Sequence, residues 1–173
     1  MSNVHVEGNL QFNFSEYVTV EKFDDKQKNP YGMKSVDFVA ENADKLCFLE
    51  VKDYQHPKAT QRRIDADLEM LQNACKKGKS IFNIELGQKV KDSLLRKYAQ
   101  GEVFSKNILF LLLIHFNMLG NYERALLKSK IDGFIPTGLN DKRFIAFTNI
   151  SFDLVNAEKL EDYGIICTER GGL

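Results

Sequence analysis

Three charged residues interrupt apolar segments of the chain, and their types and spacing could perform hydrolytic chemistry. Asp37 lies inside an apolar run at 36–40, and Glu50 and Lys52 interrupt a second run that begins at Leu46. Burying an ionised side chain costs several kcal/mol unless the charge is paired or bound to a metal, so packing alone does not explain three such residues. Two carboxylates can hold a divalent cation, and a lysine beside them can orient water and stabilise negative charge. The set is typical of metal-dependent phosphodiester hydrolysis.

These residues must be positioned by a β-hairpin. Glu50 and Lys52 project from the same face of a strand, because side chains alternate between the two faces. Strands predicted at 36–41 and 46–54, joined by a turn at 42–45, form a tight antiparallel pair that brings Asp37 opposite the Glu50 end. Two carboxylates this close repel each other, and oxygen ligands of this kind suit Mg²⁺, for which Mn²⁺ can substitute.

The layout resembles the PD-(D/E)xK nuclease superfamily, the restriction-endonuclease-like enzymes. Asp37 matches the first acid of the family motif, and Glu50-Val51-Lys52 matches its second half; Val36 stands where the family usually has proline. The resemblance implies that Asp37, Glu50 and the backbone carbonyl of Val51 hold one or two Mg²⁺ ions. It also implies that Lys52 orients the attacking water, and that DNA is hydrolysed in line without a covalent intermediate.

The resemblance extends to accessory residues. Some family members add a glutamine or lysine from the helix after the hairpin, and Gln88 or Lys89 is the candidate here, although a solvated helix face explains both residues equally well. Many members also carry an acid before the hairpin. The candidates for that acid are Glu16, Glu21, Asp24 and Asp25, among which the sequence does not decide.

The order of predicted elements indicates an α/β fold with a restriction-endonuclease-like core, a central mixed sheet flanked by helices, in one domain spanning 1–173. A first hairpin turns at Gly8-Asn9, the segment 15–23 suits a short helix or a strand, and 24–32 reads as a polar loop. Helices are predicted from a Thr60 cap to Cys75, over 81–99 and over 122–131. The remaining predictions are a buried strand at 107–116, a loop at 135–141, a late strand at 144–148 and edge strands at 150–155 and 165–168.

Composition excludes several classes of protein. The 173 residues are 43% hydrophobic and 28% charged, which is typical of a globular domain. No apolar run approaches the roughly 18 residues of a membrane span, and the N-terminus lacks the pattern of a secretion signal. The dispersed cysteines Cys47, Cys75 and Cys167 form no zinc motif and suit a reducing compartment, so we expect a cytoplasmic location.

Charge is distributed unevenly along a chain whose net charge is zero. Residues 58–106 contain 11 basic and 6 acidic side chains, whereas 1–57 contain 6 basic and 10 acidic. A basic middle segment suits a phosphate backbone, and Arg62 and Arg63 are candidate backbone contacts, although ordinary solvated helices would show the same pattern. The expected partner is nucleic acid, with DNA favoured over RNA by the resemblance. The sequence leaves open whether the protein forms a homodimer or binds a protein partner.

Other interpretations of the same residues remain. Glu50 and Lys52 would form an ordinary ion pair if they lay at an exposed strand end. The fold could also serve as a non-catalytic DNA-binding or protein-interaction module, or as an enzyme directed at RNA. Dependence of stability on a divalent ion would separate the catalytic interpretation from the module.

Overall fold

A computed structural model describes residues 3–24, 32–102, 105–137 and 149–170. The described residues form eight strands, which are β1 (Val4–Glu7), β2 (Leu10–Asn13), β3 (Thr19–Lys22), β4 (Phe38–Glu41), β5 (Lys45–Asp53), β6 (Asn107–His115), β7 (Asn149–Val155) and β8 (Ile166–Glu169). The α-helices among them are α1 (Gln61–Lys76), α2 (Ile81–Ala99) and α3 (Asn121–Asp132), and a 3-10 helix covers Glu158–Tyr163. The predicted strand at 144–148 and the end of the loop at 135–141 lie outside the described residues.

A mixed five-stranded sheet is the centre of the fold and confirms the predicted α/β class. Its strand order is β3-β4-β5-β6-β7, in which β3, β4 and β5 are antiparallel and β5, β6 and β7 are parallel. The predicted hairpin is β4 and β5, with Phe38 paired to Leu49. Asn42 closes its turn, because its side-chain oxygen accepts hydrogen bonds from the backbone N–H groups of Asp44 and Lys45, at 3.0 and 2.9 Å.

The two faces of this sheet are buried against different layers. Along β5, Leu46 and Phe48 belong to the core shared with all three α-helices. The alternate residues, including Leu49, belong to a second core. That core is formed with the antiparallel sheet β1-β2-β8 and with Leu160 of the 3-10 helix. A strand buried on both faces explains why β5 and β6 read as continuous apolar runs.

Helix α2 carries functional candidates, and its ends match the predicted bounds of 81–99. Ser80 caps it, since the Ser80 hydroxyl accepts a hydrogen bond from the backbone N–H of Asn83 at 3.1 Å. Its buried side packs on the sheet through residues spaced four apart, namely Phe82, Leu86, Val90 and Leu94. Gly101 follows the helix with φ +88°, a conformation that favours glycine. In α1, Thr60 occupies the N-cap position as predicted, but its side chain makes no capping hydrogen bond.

No helix among the described residues is both long enough and apolar enough to cross a membrane.

Candidate metal and phosphodiester site

Asp37 lies immediately before β4, at the end of the hairpin away from the turn. Its side chain is buried, and Oδ2 accepts a hydrogen bond of 2.6 Å from the backbone N–H of Val51 on β5. The backbone carbonyl of Asp37 also accepts a hydrogen bond from the N–H of Phe23, at 2.7 Å. These bonds hold the carboxylate against the middle strand of the sheet. The contact of Val51 is made by its N–H group, and a metal contact through its carbonyl stays a prediction.

Glu50 projects from β5 towards the helices and is 1% exposed. Its Oε1 lies 2.9 Å from Nζ of Lys52, which confirms that the two side chains share a face of the strand. Lys89 of α2 reaches the same carboxylate, with Nζ 2.7 Å from Oε1 and 2.9 Å from Oε2. The same Nζ lies 4.0 Å from Oδ1 of Asp37. The structure therefore brings together Asp37, Glu50, Lys52 and one of the two proposed accessory residues.

The other proposed basic and accessory residues lie outside this cluster. Gln88 is exposed on α2, because one residue along a helix turns the side chain by about 100° from Lys89. Arg62 and Arg63 are exposed near the start of α1, where Arg63 lies 3.8 Å from Asp67 one turn later. Contact of either arginine with a nucleic-acid backbone stays a prediction.

Two further carboxylates adjoin Asp37. One oxygen each from Glu7, Asp24 and Asp37 lie within 4.8 Å of one another. Asp24 was one of the candidate acids before the hairpin. Glu7 was missed, and the only signal in the sequence is an acid beside the Gly8 turn of the first hairpin. Lys22 pairs with Glu7 at 2.7 Å, so a lysine lies on this side of the cluster as well.

The remaining candidates for the extra acid are not placed at the site. Glu16 is exposed near Gly164. Glu21 lies 3.6 Å from Arg96 and 4.0 Å from Lys97 of α2. Asp25 lies outside the described residues.

Burial and mutual repulsion shift the protonation of these groups. Burial, and then the adjacent Glu50 carboxylate, raise the pKa of Asp37 to about 8, against the opposing effects of Lys89 and the Val51 N–H. Burial followed by the charge of Glu7 raises the pKa of Asp24. Burial is the largest single effect on the pKa of Lys89 and lowers it, but the charges of Glu50 and Asp37 and the hydrogen bond to Glu50 together outweigh burial, so the net direction is upward. The site therefore favours bound positive charge, whether protons, ammonium groups or a metal ion.

The arrangement fits a hard divalent cation. All the acidic ligands offer oxygen, the donor atom that Mg²⁺ and Mn²⁺ prefer. Oδ1 of Asp24 is buried and has no hydrogen-bond partner among the described residues, so it can still accept a ligand contact. Asp37 is grouped with Glu7 and Asp24, and the charge of Glu50 also acts on it. The oxygens of Glu7, Asp24 and Asp37 are close enough together to share one cation.

The histidines and cysteines take no part in this cluster. His115 places Nδ1 2.9 Å from Oδ1 of Asp53 and Nε2 3.2 Å from Oε1 of Glu169. His56 accepts a hydrogen bond from the backbone N–H of Lys58, at 3.2 Å, within a turn. All three cysteines are free thiols.

Comparison with known proteins adds no family assignment. No protein-family model, curated protein or solved structure matches the chain.

Proposed function

We propose that this protein is a Mg²⁺-dependent phosphodiesterase that hydrolyses DNA on a restriction-endonuclease-like core. The observation that carries the proposal is the convergence of Asp37, Glu50 and Lys52 at one end of the β4–β5 hairpin, with Lys89 contacting the same carboxylate. Three of these four positions are the ones at which the sequence resembles the PD-(D/E)xK superfamily. The mixed sheet with antiparallel β4–β5 and a parallel β6 after the helices supports the same core.

The residues have separable roles in the proposed reaction. Asp37 and Glu50, aided by Asp24 and Glu7, hold the cation. When bound, Mg²⁺ lowers the pKa of a water molecule and offsets the negative charge that develops on the phosphate. Lys52, the more exposed of the two lysines on Glu50, orients the attacking water and donates to a phosphate oxygen.

Location and assembly are part of the same proposal. The buried thiols of Cys47 and Cys75 suit a reducing compartment, and we propose a cytoplasmic location. The described residues of one subunit contain one such site, so cutting both strands of a duplex with it requires two copies acting together or two successive nicks.

The experiment is a cleavage assay on supercoiled plasmid, single-stranded DNA and RNA with Mg²⁺, Mn²⁺ or EDTA. The Asp37→Asn and Glu50→Gln variants are expected to lose cleavage, and Lys52→Ala to lower turnover by about 10²-fold or more. Asp44→Asn, an exposed acid in the turn of the same hairpin, and the exposed Lys91→Ala are the matched controls and should retain full activity. Full cleavage by either acid variant would refute the proposal. Cleavage of RNA but not of DNA would show that the substrate is RNA.

One observation favours a second function, a non-catalytic nuclease-fold module that binds DNA or protein. Both oxygens of Glu50 already contact ammonium groups, from Lys52 and Lys89, so this carboxylate is neutralised within the protein. A module of this kind would show no change in melting temperature with Mg²⁺ or Mn²⁺, whereas the catalytic site would be stabilised by both ions.

A further inference from the structure

A cavity of about 440 Å³ adjoins the proposed metal site, and we call it the Asp53 cavity. Its lining includes Glu7, whose carboxylate lies beside Asp37, and Val51, whose N–H binds Asp37. Gly8, Asp53, Ala59 and Arg63 also line it. The volume lies within the range of roughly 300–1,000 Å³ that is typical of small-molecule sites. A ligand held here would therefore lie next to a phosphate bound at the metal site.

Both basic and acidic side chains line the Asp53 cavity. Lys58 and Arg63, which both line it, lie just before and within the first turn of α1. The N-terminus of this 16-residue helix adds partial positive charge to that side. The acidic part of the lining consists of Glu7 and Asp53, at the ends of β1 and β5, and of Asp67 in α1, whose Oδ2 lies 3.8 Å from Nε of Arg63. A ligand that suits this lining has an anionic end and a hydrogen-bond-donating end.

Asp53 supplies a free acceptor in this lining. Its Oδ1 accepts a hydrogen bond from the backbone N–H of Gln55, at 3.1 Å, and lies 2.9 Å from Nδ1 of His115. Its Oδ2 is buried and has no hydrogen-bond partner among the described residues. A Cβ at Gly8 would lie 3.6 Å from Oδ2, an ordinary contact distance, so the hairpin turn lies beside this oxygen. A buried carboxylate oxygen without a partner is unusual and suits a ligand donor.

We propose that the Asp53 cavity binds the nucleotide next to the scissile phosphate, with its phosphate towards Lys58 and Arg63 and a hydroxyl or amino group of its nucleoside donating to Asp53. This inference rests on the proposed function, since it places the ligand on the substrate strand. A nucleotide combines the required anionic and neutral donor ends. The site then makes contact with one nucleoside of the strand as well as with the backbone.

The first test measures binding of dAMP by titration calorimetry in EDTA, where no cleavage occurs. Asp53→Asn keeps an oxygen to accept from the Gln55 N–H, turns Oδ2 into an NH2 donor at nearly constant shape, and should weaken dAMP binding at least tenfold. Ala59→Phe fills the cavity and should do the same, whereas Ala99→Phe, at an exposed position in α2, is the matched control and should bind as the wild type does. Circular dichroism checks that each variant is folded, and Asp53→Asn preserves the test if Ala59→Phe does not fold.

Two analogues of dAMP distinguish a contact of Asp53 with the sugar from a contact with the base. Dideoxy-AMP, which lacks the 3′-hydroxyl, should bind more weakly than dAMP if Asp53 accepts from the sugar, and deoxyribose 5-phosphate should bind more weakly if it accepts from the base. Either result supports the proposal. Failure of dAMP to bind, equal binding of inorganic phosphate and dAMP, or dAMP binding unchanged in Asp53→Asn would overturn it.

A second readout uses cleavage of a short DNA oligonucleotide. Ala59→Phe should raise KM at least tenfold while leaving kcat within about twofold, because the metal ligands are untouched. Unchanged KM in an active enzyme would overturn the cavity inference and leave the proposed function standing. Normal dAMP binding by a protein that cuts no nucleic acid would support the cavity inference and refute the proposed function.

Discussion

Nζ of Lys89 lies 2.7 and 2.9 Å from the two carboxylate oxygens of Glu50, which joins helix α2 to the central strand β5 at the candidate site. Glu50 is 1% exposed, so the ammonium group compensates a charge that water cannot reach. Lys52 contacts the same carboxylate but is the more exposed of the two lysines. Lys89 is therefore expected to act mainly on the stability of the metal-free site.

Lys89→Met should destabilise the metal-free protein, because it leaves Glu50 with one ammonium partner in a buried position. The expected loss is about 1–3 kcal/mol, below the full cost of an unpaired buried charge because Lys52 remains. Urea denaturation in EDTA measures it, with the exposed Lys91→Met as control. Saturating Mg²⁺ should recover more stability in Lys89→Met than in wild type, and equal recovery would contradict this account.

Neutralising Asp37 and neutralising Glu50 should change the stability of the metal-free protein in opposite directions. Asp37→Asn removes a charge that burial and Glu50 both disfavour, and the new side chain can still accept from the Val51 N–H, so the metal-free protein should gain about 1–3 kcal/mol at pH 8. Glu50→Gln leaves Lys52 and Lys89 without their carboxylate and should lower stability. Chemical denaturation in EDTA compares them. Equal shifts in one direction would show that the charges are not arranged as described.

Stability of the metal-free protein should fall as pH rises towards 8. The pKa of Asp37 is raised from 3.8 to about 8, so between these values the folded protein retains a proton that the unfolded chain has lost. The free energy of unfolding then decreases with pH by at most about 1.4 kcal/mol per unit. The charged groups nearby are Glu50, Lys89, Glu7 and Asp24. Wild type and Asp37→Asn, denatured at several pH values in EDTA, should differ in this slope.

Local sequence patterns were sufficient for the hairpin and the helices but not for every contact at the site. The 13-residue spacing of Asp37 and Glu50, with Asn42 closing the turn, determined the pairing of the two acids. Lys89 could have been chosen over Gln88, since it lies three residues after the buried Leu86 and four before the buried Ser93. That pattern places Lys89 beside the stripe that faces the sheet.

Glu7 could not have been found in the same way. It lies 30 residues before Asp37 on a strand of the other sheet, and the approach of the two sheets depends on aromatic packing. Phe12 and Phe14 of the first hairpin segment contact Phe38 next to the site, with ring centroids 5.6 and 5.7 Å apart. Periodicity shows which face of a strand is apolar, but it does not show which other element covers that face.

Arg96 should position Asp24 without contacting the metal site. Its guanidinium donates to the backbone carbonyl of Phe23 at 2.6 Å and lies 3.8 Å from the centroid of the Phe23 ring. Arg96→Met should cost about 2–4 kcal/mol and weaken Mg²⁺ binding, because the chain before Asp24 loses its buried anchor. Lys97→Met, whose ammonium lies 5.9 Å from the same ring, is the control. Unchanged Mg²⁺ affinity in a folded Arg96→Met would refute the positioning role.

Close packing at Gly87 should also control the position of Lys89. A Cβ at Gly87 would lie 2.8 Å from Cβ and 3.1 Å from the carbonyl oxygen of Phe134, which follows α3, so either α2 or the segment after α3 must shift to accept it. We expect Gly87→Ala to lose about 1–3 kcal/mol despite the higher helix propensity of alanine. Gly78→Ala is the control, because its Cβ meets no atom within 4 Å.

A shift of α2 would move the Lys89 ammonium, two residues from Gly87, away from Glu50. Gly87→Ala should therefore resemble Lys89→Met in gaining additional stability from Mg²⁺, while Gly78→Ala should not. Denaturation curves with and without Mg²⁺ distinguish the two variants. If Gly87→Ala is destabilised but responds to Mg²⁺ as the wild type does, the contact with Phe134 supports the fold without setting the position of Lys89.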